Sequence, residues 1–440
     1  MRDHSHHIEL SRDDAVAAML EALPSGFGAP LEQIPLPCAY GRVLAEDVQA
    51  TNDIPDVLTC ALDSIALHWS DFVDLPEGAV PDTAEWVRGR DWEFANTGVA
   101  MPEGFDTAVV VEHATVSDDE QHVRIDAAPS RQFAGTKAPG SQMRRGDTAV
   151  QAGCIITPDA AARIASAGHS VAPVRVRPRV AFIPTGNELV RPGLPFSESA
   201  PGKFAGRGKV YESNGAVVQG KVQAWGGTFV PFDIVPDEQE AIRAAVDRAC
   251  RVADIVVLNA GSSKGSDDWS VEVLEEMGQV ICHQTNHGPG HHSSYALVEG
   301  TPVVGISGPS GGASFTLNFY LLPLMKRFLG LDPAPVRIPA RLAADFPPSK
   351  MGKQAVRPGA LAGESRPLEA TEPGDIFFSI RFLTLAAEPD GTLSATPVPG
   401  HAGSPATQHA NAYCMVPAGP GAVMPRAGDV IQAELRNQGL

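Results

Sequence analysis

The chain has 440 residues, 43% of them hydrophobic, and a formal net charge of −18 from 34 Lys+Arg against 52 Asp+Glu. This length allows two to four domains at roughly 100–200 residues each, and the hydrophobic fraction supports real cores. The acidic balance argues against a nucleic-acid binder or a binder of anionic membranes, since both need a basic surface. An anionic small ligand can still bind, because backbone N–H groups at helix N-termini hold phosphate without net positive charge.

The six cysteines are scattered and form no C-x-x-C pair. In a chain of this length the pattern favours reduced thiols in a cytoplasm over a disulfide framework. The sequence starts without an apolar run of signal-peptide length, and it contains no apolar stretch of about 18 residues. We therefore expect a soluble, cytoplasmic protein.

The first 180 residues alternate between helical and β-rich segments. Ser11 is a candidate cap for a helix over residues 15–23, whose first turn is acidic. Residues 68–150 are β-rich and interrupted by Gly and Pro, which predicts a small β-domain inserted between flanking segments. Residues 158–168 return to a helical pattern.

One carboxylate, Asp63, stands between apolar residues in the segment 52–67. A buried carboxylate needs hydrogen-bond partners. Asp63 is therefore either hydrogen-bonded into a turn or part of a functional site, and the residues alone favour the turn.

Residues 179–330 contain three short apolar runs, each followed by a Gly-containing break. The runs are rich in β-branched residues, as in buried strands of a parallel sheet, and helical patterns at 213–225, 238–252 and 268–276 lie between them. This alternation predicts an open α/β domain. Because ligands in such sheets bind beyond the carboxyl ends of the strands, the three breaks should converge on one crevice.

The remaining segments predict a loop and a separate β-domain. Residues 192–208 are rich in Pro and Gly and predict a mobile loop within the α/β domain. Residues 332–335 have the composition of a linker. Strands are predicted after it at 376–385, 413–416 and 430–435, and turns separate them. The chain should therefore end in a small all-β domain.

Several short motifs, in their order and spacing, point to one known family. They lie at residues 41–48, 96–98, 102–110, 185–190, 211–214, 234–237, 403–404, 410–412 and 427–430. Taken together they resemble the molybdopterin molybdenumtransferase family, to which bacterial MoeA and the E domain of gephyrin belong. The resemblance runs nearly from end to end of the chain.

The resemblance implies a multidomain α/β plus β architecture. Linking helical and extended segments would occupy residues 1–50 and 148–178, and an inserted small β-domain residues 51–147. An α/β molybdopterin-binding domain, with a parallel-rich sheet and flanking helices, would occupy 179–332, and a C-terminal β-barrel 333–440. Members of the family form homodimers with the site between subunits, so the resemblance also implies a homodimer.

The resemblance further implies an activity. Family members take adenylylated molybdopterin and molybdate, insert molybdenum into the dithiolene and release AMP, with Mg2+ as cofactor and molybdate as substrate. An adenylyltransferase is the implied partner protein. The sequence fits in outline, because Gly-rich turns suit a pterin phosphate and carboxylates suit Mg2+. Cleavage of a phosphoanhydride requires charge stabilisation more than a protein nucleophile.

Matching the family's motifs position by position assigns site residues, and it changes the interpretation of Asp63 from a turn to a site residue. The implied catalytic residues are Asp63, Asp147, Glu188 and Asp268. The implied metal ligands are Asp237 and Asp268. The implied substrate-binding residues are Thr185, Gly186, Gly261, Ser262, Ser263, Lys264, Gly290, His291, Gly308, Ser310 and Ser404.

Two loops depart from the family pattern. The family's Lys-Pro-Gly-Lys turn is Gly-Pro-Gly-His at 288–291, and its Pro-Gly-Asn-Pro turn is Ser-Gly-Pro-Ser at 307–310. Lys264 is an added cation that either replaces some of the lost charge or faces solvent. Four histidines within ten residues either bind a metal or oxyanion or are surface residues of a polar loop. They are His283, His287, His291 and His292.

Three functions compete at this point. The leading one is a working molybdenum-insertion enzyme, because the carboxylates at 63, 188, 237 and 268 are retained. The second is a catalytically altered paralogue that binds or delivers molybdopterin or the finished cofactor, because both lysines and several acids are lost. The third is a structural scaffold, which the compact acidic chain does not support. The sequence leaves open whether molybdate or tungstate is handled.

Overall fold

The computed structural model describes residues 10–195, 208–259, 269–347, 377–418, 422–437 and 439, and it divides into two compact units. One unit comprises Met1–Pro30 and Val176–Leu440, and the other comprises Leu31–Arg175. Most of the predicted mobile loop, residues 196–207, lies outside the described residues, as does the Gly-rich break at 260–268.

The first helix, α1 (Arg12–Ala22), confirms the helix expected near the N-terminus. Ser11 caps it, since its Oγ accepts a hydrogen bond from the backbone N–H of Asp14 at 3.2 Å. Asp13 and Asp14 form the acidic first turn, which the positive end of the helix dipole stabilises.

The unit Leu31–Arg175 consists of small antiparallel sheets and one helix. Its elements are β1 (Leu31–Pro35), β2 (Val48–Gln49), β3 (Thr59–Cys60), β4 (Ser64–Leu67), β5 (Trp92–Ala95), β6 (Thr107–Val110), β7 (Ala114–Val116), β8 (Val123–Ile125), β9 (Thr136–Lys137), β10 (Thr148–Val150), α2 (Pro158–Ser166) and β11 (Val171–Arg175). The strands pair as β1–β11, β2–β10, β3–β9, β5–β4–β6 and β7–β8. The β-rich character predicted for residues 68–150 is therefore present, whereas the implied division of the chain into four domains stays a prediction.

The other unit contains the expected α/β layer. Its elements up to residue 328 are β12 (Arg179–Ile183), β13 (Leu189–Val190), β14 (Val210–Tyr211), α3 (Asn214–Ala224), β15 (Thr228–Pro231), α4 (Gln239–Val252), β16 (Ile255–Asn259), α5 (Ser270–Met277), β17 (Gln279–His283), β18 (His287–Gly288), β19 (Ser294–Val298), β20 (Thr301–Ile306), α6 (Ser310–Thr316), a π-helical turn (Leu317–Leu321) and α7 (Leu322–Phe328).

The main sheet has six strands in the order β15-β12-β16-β20-β19-β17. The four strands from β15 to β20 are parallel, and β19 and β17 are antiparallel additions. The three apolar runs predicted as parallel strands are β12, β16 and β20, and this prediction is confirmed. Helices α4 and α5 cover one face, where Ile242 and Val246 pack with Ile183 and Leu258.

The C-terminal part forms the predicted β-barrel. Its strands are β21 (Ile338–Leu342), β22 (Phe377–Ala387), β23 (Leu393–Pro397), β24 (Ala412–Ala418) and β25 (Val430–Leu435). They pair in the order β22-β23-β21-β25-β24, and a further pairing of β24 with β22 closes the ring. The multidomain α/β plus β fold class is therefore confirmed. Among the described residues, no helix is both long and apolar enough to cross a membrane.

Candidate functional site

The carboxyl ends of β12 and β16 are joined by side-chain hydrogen bonds. Thr185 follows β12, and its buried Oγ1 donates to the carbonyl oxygen of Asn259, the last residue of β16. The Nδ2 of Asn259 lies 3.4 Å from the carbonyl oxygen of Thr185 and donates to it in return. The hydroxyl of Thr185, a predicted substrate-binding residue, is thus engaged in holding two strand ends together.

Asn214, the first residue of α3, extends this connection to the end of β20. Its Nδ2 donates to Oδ1 of Asn259 at 2.7 Å and to the carbonyl oxygen of Gly308 at 2.9 Å. The carbonyl oxygen of Ser307 is a third acceptor at 3.4 Å. The amide of Asn214 therefore joins the ends of β16 and β20, and Asn259 joins β16 to β12, as expected for the crevice of an open α/β sheet.

The turn after β12 contains one predicted acid, Glu188, and is hydrogen-bonded to another, Asp237, which follows β15. The backbone N–H of Asn187 donates to Oδ2 of Asp237 at 2.9 Å, and Oδ1 of Asn187 accepts from the N–H of Asp237 at 3.3 Å. A Cβ atom placed on Gly186, whose φ is +148°, would lie 2.8 Å from Oε2 of Glu188. The positive φ favours glycine there, because residues other than glycine rarely adopt this backbone conformation.

The turn after β20, residues 307–312, lies against the loop 288–291. A Cβ atom on Gly312 would lie 2.5 Å from Oγ of Ser307 and 3.4 Å from the backbone nitrogen of Gly290. The buried hydroxyl of Ser293 donates to the carbonyl oxygen of Gly290 at 2.6 Å and lies 3.0 Å from Oγ1 of Thr316 in α6. The divergent loop therefore packs along α6, against Gly312 in its first turn and Thr316 at its end.

The same turn also meets a loop of the barrel. A Cβ atom on Gly311 would lie 2.5 Å from Cβ of Ala402 and 3.2 Å from its carbonyl oxygen. Two residues further on, the Oγ of Ser404 lies 3.4 Å from the Oγ1 of Thr407. Gly308 and Ser310 are exposed at the tip of the turn. The structure therefore brings the predicted residues at 185–186, 290–291, 308–310 and the loop 402–404 into one connected region.

The histidine run does not form a metal centre. His287 is fully buried, and its Nε2 lies 2.8 Å from the hydroxyl of Tyr320. Burial, assisted by the charge of Arg12, lowers the pKa of His287 to about 3, so the ring is neutral at physiological pH. No group of three or more potential metal ligands occurs within the described part of the chain.

The surface alternative is wrong for His287, which is fully buried and has its Nε2 within hydrogen-bond distance of Tyr320. It packs edge-on against Phe319, with ring centroids 5.1 Å apart. His283 is also buried. His291 is half-buried, stands next to His292 with ring centroids 3.7 Å apart, and stays a predicted ligand contact.

Two predicted acids belong to the unit Leu31–Arg175. Asp63 is exposed, contrary to the expected burial, and its Oδ1 accepts from both the N–H and the Oγ1 of Thr97, at 2.9 and 3.0 Å. These backbone and side-chain hydrogen bonds lower the pKa of Asp63, so the carboxylate is ionised at neutral pH. Asp147 is also exposed, and its Oδ2 accepts from the N–H of Arg144 at 2.8 Å, which closes a local turn.

Five predicted site residues lie outside the described residues. They are Gly261, Ser262, Ser263, Lys264 and Asp268. The position of the added cation and of one implied metal ligand therefore stays a prediction.

The sequence interpretation did not single out Asn259, Ser293, Ser307 and Thr316, nor the side chain of Asn214. A usable signal existed for Asn259, because a polar amide at the end of an apolar strand of a parallel sheet points towards the crevice. The roles of Ser293 and Thr316 had no such signal, since they depend on contacts between distant segments.

The carboxylates of Glu188 and Asp237 are ligands of the kind that Mg2+ prefers. Glu188 lies in the turn after β12, and Asp237 is hydrogen-bonded to its neighbour Asn187. Mg2+ usually takes one or two carboxylates together with waters and substrate phosphates. Oδ2 of Asp237 is already engaged with the N–H of Asn187. Glu188, which is half-buried beside Gly186, would supply the second carboxylate.

Comparison with known proteins agrees with this arrangement. Residues 10–168 match the family described as MoeA N-terminal region (domain I and II), and residues 181–327 match the family described as probable molybdopterin binding domain. The two matches together span more than two thirds of the chain.

Among curated proteins, the chain is similar to a molybdopterin molybdenumtransferase from Haemophilus influenzae, with 26% identity over 73% of this chain and 78% of the relative. It is also similar to molybdopterin molybdenumtransferase 2 from Mycobacterium tuberculosis, with 27% identity over 74% of this chain and 82% of the relative. A solved structure of the molybdopterin biosynthesis moea protein from Pyrococcus horikosii shares the fold, with a TM-score of 0.71, 19% identity, and coverage of 98% of this chain and 100% of that one.

Proposed function

The chain belongs to the molybdopterin molybdenumtransferase family of molybdenum cofactor biosynthesis, and on that premise we propose that it is a working molybdenum-insertion enzyme. Its substrates are adenylylated molybdopterin and molybdate, and its products are the molybdenum cofactor and AMP. Molybdenum enters the dithiolene while the phosphoanhydride bond to AMP is cleaved.

One observation above all supports the proposal: loops from distant parts of the chain converge on the carboxyl ends of β12, β16 and β20. The turn 307–312 contacts Gly290 on one side and Ala402 on the other, and Asn214 joins it to Asn259. The sheet, the divergent loop and the barrel all contribute to this region. A large, elongated substrate with a heterocycle, a dithiolene and phosphates requires such a composite site.

The phosphates would be bound mainly by backbone groups and a metal ion. Gly290, Gly308 and the neighbouring backbone can approach an anionic group closely, because glycine has no side chain to obstruct it. Glu188 and Asp237 would hold Mg2+, which would supply charge stabilisation for phosphoanhydride cleavage. Asp268 would be a further ligand.

The exposed carboxylates Asp63 and Asp147 would complete the site from a second subunit. Both are exposed, and Asp63 is ionised at neutral pH. Ionised carboxylates orient a cation or the attacking oxyanion without being consumed in the reaction. We therefore propose a homodimer, and an adenylyltransferase as the partner protein that supplies the substrate.

The test is AMP release from adenylylated molybdopterin by purified protein, with and without molybdate and Mg2+. We expect release that depends on both additions, and tungstate in place of molybdate tests the choice of oxyanion. Asp63→Asn is the matched variant, because it keeps the shape of the side chain and removes its charge. Tight binding of the substrate with no molybdate-dependent AMP release would refute the proposal.

That outcome would favour the second candidate, a protein that binds or delivers molybdopterin or the finished cofactor. A specific observation motivates it: both lysines of the family's Lys-Pro-Gly-Lys turn are replaced in 288–291, and the adjacent His287 is neutral and buried. The loop therefore offers less fixed positive charge than the family pattern.

A further inference from the structure

A cavity of about 310 Å³ lies between α1, α7 and the barrel. Its wall is formed by the first turns of α1, the helical segment from Asn318 to Lys326, the chain between residues 332 and 337, and Glu434 of β25. All of these belong to one compact unit. The volume is at the lower end of the range of roughly 300–1,000 Å³ that is typical of small-molecule sites.

The cavity is separate from the crevice at the strand ends. The helix α6, the π-helical turn and α7 follow one another without a break, and the crevice lies at the start of α6. Lys326, near the end of α7, lies about 24 Å along this helical segment from Ser310, at about 1.5 Å of rise per residue. None of the residues assigned to the crevice lines the cavity.

Four charged side chains of the wall pair with one another. Nη1 of Arg12 lies 2.8 Å from Oε1 of Glu434, and Nη2 of Arg337 lies 2.6 Å from Oδ2 of Asp13. The cross pairs, Arg12 with Asp13 and Arg337 with Glu434, are 3.2 and 3.5 Å long. The two cations and two carboxylates therefore balance one another.

Lys326 is the cation of the wall that this network leaves over. It is 7% exposed, and no side-chain hydrogen bond or ion pair joins it to any residue that the structure describes. Its ammonium nitrogen is not among the polar atoms sealed from solvent, so a ligand in the cavity can reach it. A charged group with so little access to water usually has a partner of opposite charge.

The remaining inner wall is mostly apolar and includes Val16, Leu20, Phe319 and Leu322. One unpaired positive charge beside apolar side chains matches a monoanion whose carboxylate pairs with the ammonium while its carbon skeleton covers the apolar wall. A dianion would bring a second negative charge towards the carboxylates of the network, which is repulsive.

We propose that this cavity binds a small organic monocarboxylate with an aliphatic or aromatic body, and that Lys326 is its counter-ion. Such a ligand takes no part in molybdenum insertion, so the site goes beyond the proposed function and does not depend on it.

The probes are benzoate and hexanoate, and their binding to the full chain is measured by ligand-observed NMR titration. The wild type should bind them saturably. The neutral amides, benzamide and hexanamide, keep the shape without the charge and should bind roughly 10- to 150-fold more weakly, the factor for a lost hydrogen bond between charged groups. Absence of saturable binding for both carboxylates, or equal affinity for the acids and the amides, would overturn the proposal.

Lys326→Met removes the ammonium and keeps an unbranched side chain. It should lower affinity for the carboxylates by the same factor and leave affinity for the amides unchanged. Arg327→Met is the matched control, because Arg327 lies in the same last turn of α7, is exposed and does not line the cavity. An equal loss of carboxylate binding in both variants would indicate general attraction to positive charge and overturn the assignment.

Thermal unfolding separates a ligand site from a structural lysine. Because the ammonium has no partner to lose, Lys326→Met should melt at the wild-type temperature or above it when no probe is present. Saturating benzoate should raise the melting temperature of the wild type and of Arg327→Met, but not that of Lys326→Met. A lower melting temperature of Lys326→Met without the probe would show that the ammonium already stabilises the free protein, and would overturn the proposal.

Asp332 is the one acid of the wall outside the network, and its Oδ1 accepts from the N–H of Ala334 at 2.9 Å. Asp332→Asn should leave benzoate affinity unchanged or raise it, because it removes a negative charge near the ligand. Weaker benzoate binding by Asp332→Asn would contradict a site for an anion.

The carboxylate site and the proposed function fail in different ways. A wild type that releases AMP in a molybdate-dependent reaction but binds neither carboxylate would refute the site alone. Saturable binding that depends on Lys326, in a protein that releases no AMP, would refute the proposed function alone.

Discussion

Replacement of Gly311 by alanine should separate two of the converging loops. The new Cβ would lie 2.5 Å from Cβ of Ala402 and 3.2 Å from its backbone carbonyl carbon and oxygen. Carbon atoms pack at roughly 3.5–4.0 Å, so the barrel loop around Ala402 must retreat by about 1 Å. No long side chain is available to absorb the movement, because the obstacle is a methyl group and backbone.

The size of the effect follows from this displacement. Overpacking of this kind costs roughly 1–3 kcal/mol, which the better helix propensity of alanine offsets by up to about 1 kcal/mol. Stability should therefore fall only slightly, whereas a misplacement of about 1 Å at a site can reduce a rate by about 10²-fold. We expect Gly311→Ala to lose AMP release far more than it loses stability.

Gly220→Ala is the matched control for this variant. Gly220 lies in α3, is exposed, and has no atom within 4 Å of its Cβ position. The substitution should raise stability by up to about 1 kcal/mol and leave the rate unchanged. Thermal unfolding and the rate of AMP release, measured for both variants, complete the test. If Gly311→Ala matched Gly220→Ala in both measurements, the contact between the two loops would have no functional meaning.

Four further predictions concern single residues and assembly. Asp63→Ala and Asp268→Ala should each lower the rate of AMP release by roughly 10²–10³-fold with an unchanged circular dichroism spectrum, because each removes a charge from the site; wild-type rates would contradict this. If His291 acts as a cation, affinity for adenylylated molybdopterin should fall as pH rises from about 6 to 8. His291→Lys should flatten this pH dependence of affinity, and His291→Ala should abolish the pH dependence and bind more weakly. A wild-type affinity that does not change with pH would exclude a protonated His291. Burial, with repulsion from Arg436, lowers the pKa of Lys221 from 10.5 to about 8. Between these pH values the unfolded state binds one more proton at this group than the folded state, so this group makes the free energy of unfolding rise with pH. Denaturant titrations at several pH values should show this rise in the wild type and lose it in Lys221→Met; the same pH dependence of unfolding free energy in both proteins would contradict the shift. Light scattering at micromolar concentration should give the mass of a homodimer, and a monomeric mass would remove the basis for a site shared between subunits.

Local patterns were sufficient to predict the α/β layer and an all-β C-terminal domain, whereas closure of that domain into a barrel was implied only by the resemblance. The strands β12, β16 and β20 are short β-branched runs with Gly-containing turns after them, so periodicity and turn chemistry identify them without any knowledge of the tertiary structure. The N-terminal helix was predictable because Ser11 and the acids that follow it form a local capping signal.

The centre of the site depends on contacts that no local pattern encodes. Asn214 and Asn259 bond across 45 residues, and Asn214 and Ser307 across 93. His287 was misjudged for the same reason, because the aromatic residues that bury it come from the helical segment around Phe319. The exposure of Asp63 and its hydrogen bonds to Thr97 likewise depend on a distant turn.

The most direct test of the central claim is a stoichiometric reaction in which AMP and protein-bound molybdenum are measured in the same sample. Purified protein is mixed with one equivalent of adenylylated molybdopterin, Mg2+ and molybdate, and the small molecules are separated from the protein. A molybdenum-insertion enzyme should release one AMP for each molybdenum atom retained in the cofactor. Retention of intact adenylylated molybdopterin with neither AMP nor bound molybdenum would contradict the account and identify a carrier.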